Sequence, residues 1–250
     1  EIASCLVGSE MCIRDRNNSN DQVLSDYYAE LSKKENIKII TLNEPFNYSR
    51  FNNIAAGYAA GTQLLFLNND IEAVSENWIQ EMLMYSQRND VGAVGAQLRY
   101  PDKTLQHCYL ITGAGPHKVA IHAGLGLFEG DYGYLDRIGF VRDVSAVTGA
   151  CLMVKKDIFD KIGGFDEKLS VAYNDVDICL KIRNEGYGII YTPYARLIHY
   201  ESCTRGRDSK DSNRRRLDAE AEYIKNKWKD KLIDRYYNAN FSTDREGMLR

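Results

Sequence analysis

The chain has 250 residues, 44% of them hydrophobic, and carries 32 basic against 35 acidic side chains for a formal net charge of −3. That length and apolar content suit one large domain with a real core, and the slightly acidic balance argues against nucleic acid as a main partner. No apolar run approaches the ~20 residues of a membrane helix, and the six cysteines include no CxxC pair, so reduced thiols in a cytoplasmic protein are favoured over a disulfide framework.

Residues 5–16, CLVGSEMCIRDR, resemble the translation of a transposase adapter used in DNA sequencing libraries; residues 1–16 are set aside as an artefactual leader. Ser19 can cap a helix, with Gln22 completing a capping box, and Val23, Leu24, Tyr27, Tyr28 and Leu31 mark its apolar face. Residues 37–42 read as a strand. Phe51, Ile54, Ala55, Tyr58 and Ala59 form a second helical face, stopped by Gly61. Residues 64–67 are a continuous apolar run, as in a strand covered on both faces. Ser75 opens another helix with Trp78, Ile79, Met82 and Leu83 inward, and residues 91–98 form a further strand. This alternation predicts an α/β domain with a mostly parallel central sheet flanked by helices. Such sheets bind ligands beyond the carboxyl ends of their strands, and Asn68, Asn69 and Asp70 directly follow one.

Residues 100–146 are interrupted by Gly113, Gly115, Gly124, Gly126, Gly130 and Gly133 and contain no GxGxxG or Walker A pattern. They read as a loop-rich insertion contributing to an acceptor site. Residues 147–154 read as a core strand, 157–162 as a short helix, and 187–191 and 195–199 as two strands. Further on, the basic residues Arg205, Arg207, Lys210, Arg214, Arg215 and Arg216 lead into Leu217, Ala221, Ile224 and Trp228 at helical spacing. A solvated helix packed on the domain is favoured there over a membrane-surface or phosphate-binding role.

Three polar elements invite chemistry, and each has a plainer explanation. In Asn174-Asp175-Val176-Asp177, Asn174 makes a good N-cap and the two acids offset a helix dipole, with Asp177 at the N3 position. Asn68-Asn69-Asp70 is ordinary turn chemistry. His199, closing an apolar strand, is by itself more often structural than a ligand.

Taken in order and spacing, these elements resemble the family 2 glycosyltransferases. Gly164-Phe165-Asp166-Glu167 followed by Asn174-Asp175-Val176-Asp177-Ile178-Cys179-Leu180 looks like the family's "GFDE … ED-x-D-x-x-L" region. Asn68-Asn69-Asp70 occupies the place of its "DxD" acids, and residues 194–202 resemble the stretch whose histidine completes a metal site. The resemblance implies a GT-A fold and inverting transfer from a nucleotide-diphosphate sugar, with Asp175 as general base. Mg²⁺ or Mn²⁺ would be held by Asp70 and His199. Asn18, Asn53, Asn68, Asn69 and Arg205 would contact the nucleotide-sugar. Asn18 belongs to Asn17-Asn18-Ser19-Asn20-Asp21, which is similar to the family's "DNNS-x-D" stretch closing its second strand. The first strand, first helix and second strand are therefore expected to be missing, leaving a catalytic domain over 17–205 and a helical extension over 206–250.

Residues 236–245 look like a subgroup associated with surface polysaccharides and rhamnose-rich polymers. That implies a glycan or lipid-linked glycan acceptor and peripheral association with the inner face of the membrane. Two alternatives stand beside this: a nucleotidyltransferase on a similar sheet, and an inactive truncated binding module.

Overall fold

The computed structural model describes residues 2–7, 10–15, 22–42, 44–200 and 211–244. In chain order the elements are β1 (Ile2–Val7), β2 (Glu10–Asp15), α1 (Gln22–Leu31), β3 (Ile37–Thr41), α2 (Tyr48–Tyr58), β4 (Gln63–Asn68), β5 (Ile71–Ala73), α3 (Trp78–Ser86) and β6 (Val91–Arg99). There follow β7 (Leu105–His107), β8 (Leu110–Thr112), β9 (Ala120–His122), β10 (Arg142–Asp143), β11 (Cys151–Lys155), α4 (Lys156–Lys161), α5 (Asn174–Asn184), β12 (Gly188–His199) and α6 (Asp211–Trp228).

The main sheet runs β10-β12-β6-β11-β4-β1-β2-β3. It is mixed, not mostly parallel: among the described strands only β12 with β6 and β2 with β3 pair in parallel. The cause is an insertion. β2, β3, β4, β6 and β12 share one direction, as alternating strands and helices dictate, but β11 returns antiparallel between β4 and β6, and β1 is reversed between β2 and β4. The sheet positions expected to be empty are filled, because residues 2–7 and 10–15 pair as a hairpin between β4 and β3.

Both faces of the sheet are covered, which explains the continuous apolar runs. Leu64 and Phe66 of β4 face the α2 and α4 side, where Phe66 meets Phe165 edge-on at 5.0 Å between ring centroids. Leu65, one residue over, joins Met82 of α3 and Val94 and Leu98 of β6 on the opposite face.

Several local expectations shift. Tyr27 and Tyr58, assigned to apolar helix faces, are exposed. α3 begins at Trp78 after Asn77, not at Ser75, whose hydroxyl instead accepts from the Arg196 amide at 2.9 Å. The two strands expected over 187–191 and 195–199 are one strand, β12, with a register shift between Tyr191 and Arg196. Pro193 lies in that irregular stretch, where a residue without an N–H does no harm. Residues 100–146, read as a loop-rich insertion, carry short strands and buried side chains, among them Leu105, His107, Leu110 and Ile111.

α6 packs on the body as favoured. Its Glu220 is buried and accepts from the amides of Ser170, Val171 and Ala172 at 2.8, 3.3 and 2.7 Å, and from the Ser170 hydroxyl at 2.7 Å. No helix among the described residues is long and apolar enough to cross a membrane.

Candidate active site

A cleft of about 500 Å³ opens at one end of the sheet. The carboxyl ends of β4 and β12 and the amino end of the reversed β11 all meet there. Asn68, Asn69 and Asp70 line it from the end of β4, His199 from the end of β12, Thr148, Gly149 and Ala150 from the approach to β11, and Asp175 from the first turn of α5. The short β5 pairs with the end of β12, setting Ile71 opposite His199, and the Tyr200 amide donates to the Asp70 carbonyl at 2.9 Å. That clasp holds two residues distant in sequence side by side.

His199 Nε2 lies 3.0 Å from Asp70 Oδ1 and 3.4 Å from Asn68 Nδ2. Its other nitrogen, Nδ1, donates to Gln106 Oε1 at 2.7 Å. With Nδ1 turned to Gln106, Nε2 faces the Asp70 carboxylate oxygen. An imidazole fixed by a polar partner beside a carboxylate suits a divalent ion. No group of three or more His, Cys, Asp or Glu side chains placed to hold a metal ion exists among the described residues. Asp70 and His199 thus stand as a pair, without a third such side chain placed to complete a metal site among the described residues.

Asp175 lines the same cleft. Its Oδ1 accepts from the Val176 amide at 2.8 Å and its Oδ2 from the Gly149 amide at 3.3 Å. Burial pushes the carboxyl above the ordinary aspartate range, opposed by His122 and by hydrogen bonds from Gly149, Val176 and Thr148. Gly149 is pinned by Tyr48, whose hydroxyl donates to its carbonyl at 2.6 Å; a Cβ on Gly149 would lie 3.1 Å from that same oxygen. Tyr173, just before α5, has φ 59°, the left-handed region that costs a non-glycine residue about 1–3 kcal/mol. Burial pushes its hydroxyl up to about 12.

The glycosyl transferase family 2 model matches residues 9–163. The chain belongs to glycosyl transferase family 2. It is 39% identical over 216 residues to an uncharacterized protein of Sinorhizobium fredii, covering 85% of this chain and 23% of that one. It is 36% identical over 197 residues to the O-antigen biosynthesis protein RfbC of Myxococcus xanthus, covering 76% of this chain and 15% of that one. The chain thus spans less than a quarter of the length of either relative. Among solved structures, GalNAc-T7 with UDP, GalNAc and Mn²⁺ aligns with a TM-score of 0.65 at 15% identity, over 89% of this chain and 43% of that one. At that identity the likeness is one of fold, and it is the GT-A glycosyltransferase fold.

In this family 2 chain the cleft gathers Asn68, Asn69, Asp70, Asp175 and His199 from three separate places in the sequence. Asn53 does not join them. Its carboxamide clamps the Phe165 backbone, donating to the carbonyl and accepting from the amide, each at 2.9 Å. The clamp needs Gly164, since a Cβ there would fall 2.5 Å from Asn53 Oδ1. Asn18 and Arg205 lie outside the described residues.

Asn174 and Asp177 also depart from expectation. Tyr173 takes the cap position of α5, and Asn174 donates to the Val171 carbonyl at 3.0 Å. Asp177 is fully buried and anchors α6: it accepts from the Trp228 indole at 2.7 Å and pairs with Lys227 at 2.7 Å and Lys181 at 3.4 Å. Gln106, His107 and His122 line the cleft without having been singled out. Their signal was slight: isolated polar residues on three-residue strands within a glycine-rich stretch.

Proposed function

We propose that this chain moves a sugar from a nucleotide-diphosphate donor to an acceptor hydroxyl with inversion, in the building of a cell-surface polysaccharide. The observation that carries this reading is the placement of the Asp70–His199 pair and Asp175 in one cleft. The O-antigen relative favours a surface polysaccharide as the product, and the Mn²⁺-bearing fold neighbour favours a divalent ion.

Asp70 and His199 would hold Mg²⁺ or Mn²⁺, which when bound neutralises charge on a leaving diphosphate. Asn68 and Asn69 offer amides at the same end for phosphate and sugar oxygens. Asp175 takes the proton from the acceptor hydroxyl as that oxygen attacks the anomeric carbon from the face opposite the diphosphate. A single base on one side and the leaving group on the other is the geometry of one in-line displacement, hence inversion. Burial suits Asp175 to the task, because a carboxylate above its ordinary range is a better proton acceptor.

The test is a panel of nucleotide-diphosphate sugars with Mn²⁺ and mixed methyl glycosides, followed for nucleoside diphosphate release and for the anomeric configuration of the product by NMR. Metal-dependent release with an inverted product is expected. Release of pyrophosphate in place of a nucleoside diphosphate would point to nucleotidyl transfer, and a retained anomer would remove Asp175 from the role of base.

A further inference from the structure

Tyr173 turns the chain into α5, and its backbone sits in the left-handed region at φ 59°. Glycine or asparagine takes that conformation at little cost, whereas an aromatic residue holds it only where the surrounding structure compels it. Here two other elements do the compelling. The Tyr173 hydroxyl lies 3.1 Å from Nδ1 of His117, on the turn between β8 and β9, and His117 Nε2 lies 2.9 Å from Asp218 Oδ1 on α6. The rings of Tyr173 and His117 meet edge-on, with centroids 6.4 Å apart. A carboxylate only accepts, so His117 Nε2 donates to Asp218. The link to the phenol survives either charge state of the ring, because a phenol hydroxyl can donate to a bare Nδ1 or accept from a protonated one. Asp175 follows two residues after Tyr173, and its Oδ2 accepts from the Gly149 amide at 3.3 Å. Its charge joins burial in pushing the Tyr173 hydroxyl up, so the two side chains sense each other across the turn.

We propose that Tyr173 is a positioning residue for the base: its left-handed backbone aims the first turn of α5 so that Asp175 stays in the cleft on the Gly149 amide, and the hydrogen-bond chain Asp218–His117–Tyr173 holds that backbone in place. The proposal rests on Asp175 as the base. Glycine would make the same turn without strain, but with nothing to hold it there. Tyrosine adds a side chain by which a distant element can grip the turn. α6 thereby holds four successive residues ahead of the base. Glu220 takes the amides of Ser170, Val171 and Ala172, and Asp218, through His117, takes the side chain of Tyr173. The two links differ in strength. Tyr173 and His117 are half-buried, whereas the Asp218 side chain is 56% exposed. Water screens that outer pairing, so its part is chiefly to orient the His117 ring.

Hydrogen exchange at the Gly149 amide, which donates to Asp175, tests this on the full chain without turnover. In Tyr173→Phe and in His117→Phe that amide is expected to exchange about tenfold faster, while the amides of β6 keep their protection and show the sheet intact. Asp218→Leu should act in the same direction but less, and Asp218→Asn, whose carboxamide oxygen still accepts from His117, should restore the protection. Tyr173→Gly, which takes the left-handed turn freely, should lose less protection than Tyr173→Ala, which has neither the easy turn nor the tether. In turnover, kcat should fall by about 10–100-fold in Tyr173→Phe and His117→Phe with donor KM unchanged, the scale of a misplaced reacting group. Wild-type exchange at Gly149 in both of these variants, or a loss of protection there that β6 shares in both, would overturn the proposal. Faster exchange at Gly149 in the tether variants, in an enzyme that keeps full turnover as Asp175→Asn, would leave the hold of Tyr173 on Asp175 standing and remove Asp175 as the base.

Discussion

Asp175 and Asp177 stand two residues apart on the first turn of one helix, yet they face different worlds. Asp177 is sealed against α6 by two lysines and an indole. Asp175 faces the cleft, where amide and hydroxyl donors and His122 act on it, and no lysine or arginine pairs with it among the described residues. A helix dipole and short spacing treat the two alike. The partners separate them: Asp177 meets two ammonium groups and an indole, while burial raises Asp175 with no lysine or arginine described beside it. Catalysis belongs on the second face and architecture on the first.

The comparison can be broken most sharply at Asp175. Asp175→Asn keeps the shape but not the basicity, and turnover should fall by about 10²–10⁴ with donor affinity unchanged. The acid limb of the wild-type pH–rate profile should lie above the ordinary aspartate value near ~4, because the raised group is protonated, and idle, as pH falls through it. In the same cleft, Asp70→Ala should abolish activity together with divalent-ion dependence. Gln106→Leu, which frees the His199 ring from its partner, should weaken Mn²⁺ by about 10–100-fold in a calorimetric titration.

On the architectural face the currency is stability. Asp177→Ala leaves Lys227 and Lys181 without their buried partner and should cost about 3 kcal/mol by urea denaturation. Loss of turnover in Asp177→Ala at full stability would reverse the roles of the two acids. The smallest effect belongs to Asp166, which also binds Lys227. Burial raises its carboxyl, but hydrogen bonds from Lys227, Tyr223 and the Lys168 amide outweigh that and hold it at about 2. A carboxylate depressed in the fold gives stability that is present above its unfolded pKa and is lost as pH drops from about 4 toward about 2. About 1–2 kcal/mol should disappear across that window, after allowance for solvent screening, and Asp166→Asn should flatten it.

How much of this was legible follows from how local each signal is. Asp70, Asp175 and His199 each mark the end of a strand or the head of a helix, and a family pattern fixes their order. Asn53 misled because an asparagine on a helix looks the same whether it meets a nucleotide or clamps a glycine turn; Gly164, 111 positions along by number, decides it. The direction of β11 was illegible because antiparallel insertion depends on where the irregular stretch before it lands, not on the strand's own residues. The His107–His122 pair was hidden for the same reason. Three-residue strands carry no period, and 15 residues separate the rings.

Glu220 carries a consequence in time. It fixes Ser170, Val171 and Ala172, the loop leading into Asp175, from 50 residues further along the chain. During synthesis the ribosome therefore releases the base, the histidines and the strand ends before it releases the residue that sets the lip of the cleft. Nascent chains stalled after residue 205 should leave the amides of Ser170 and Ala172 open to hydrogen exchange, and chains extended through α6 should protect them. Protein synthesis would then carry its own interlock, with the lip of the cleft set only once α6 is made.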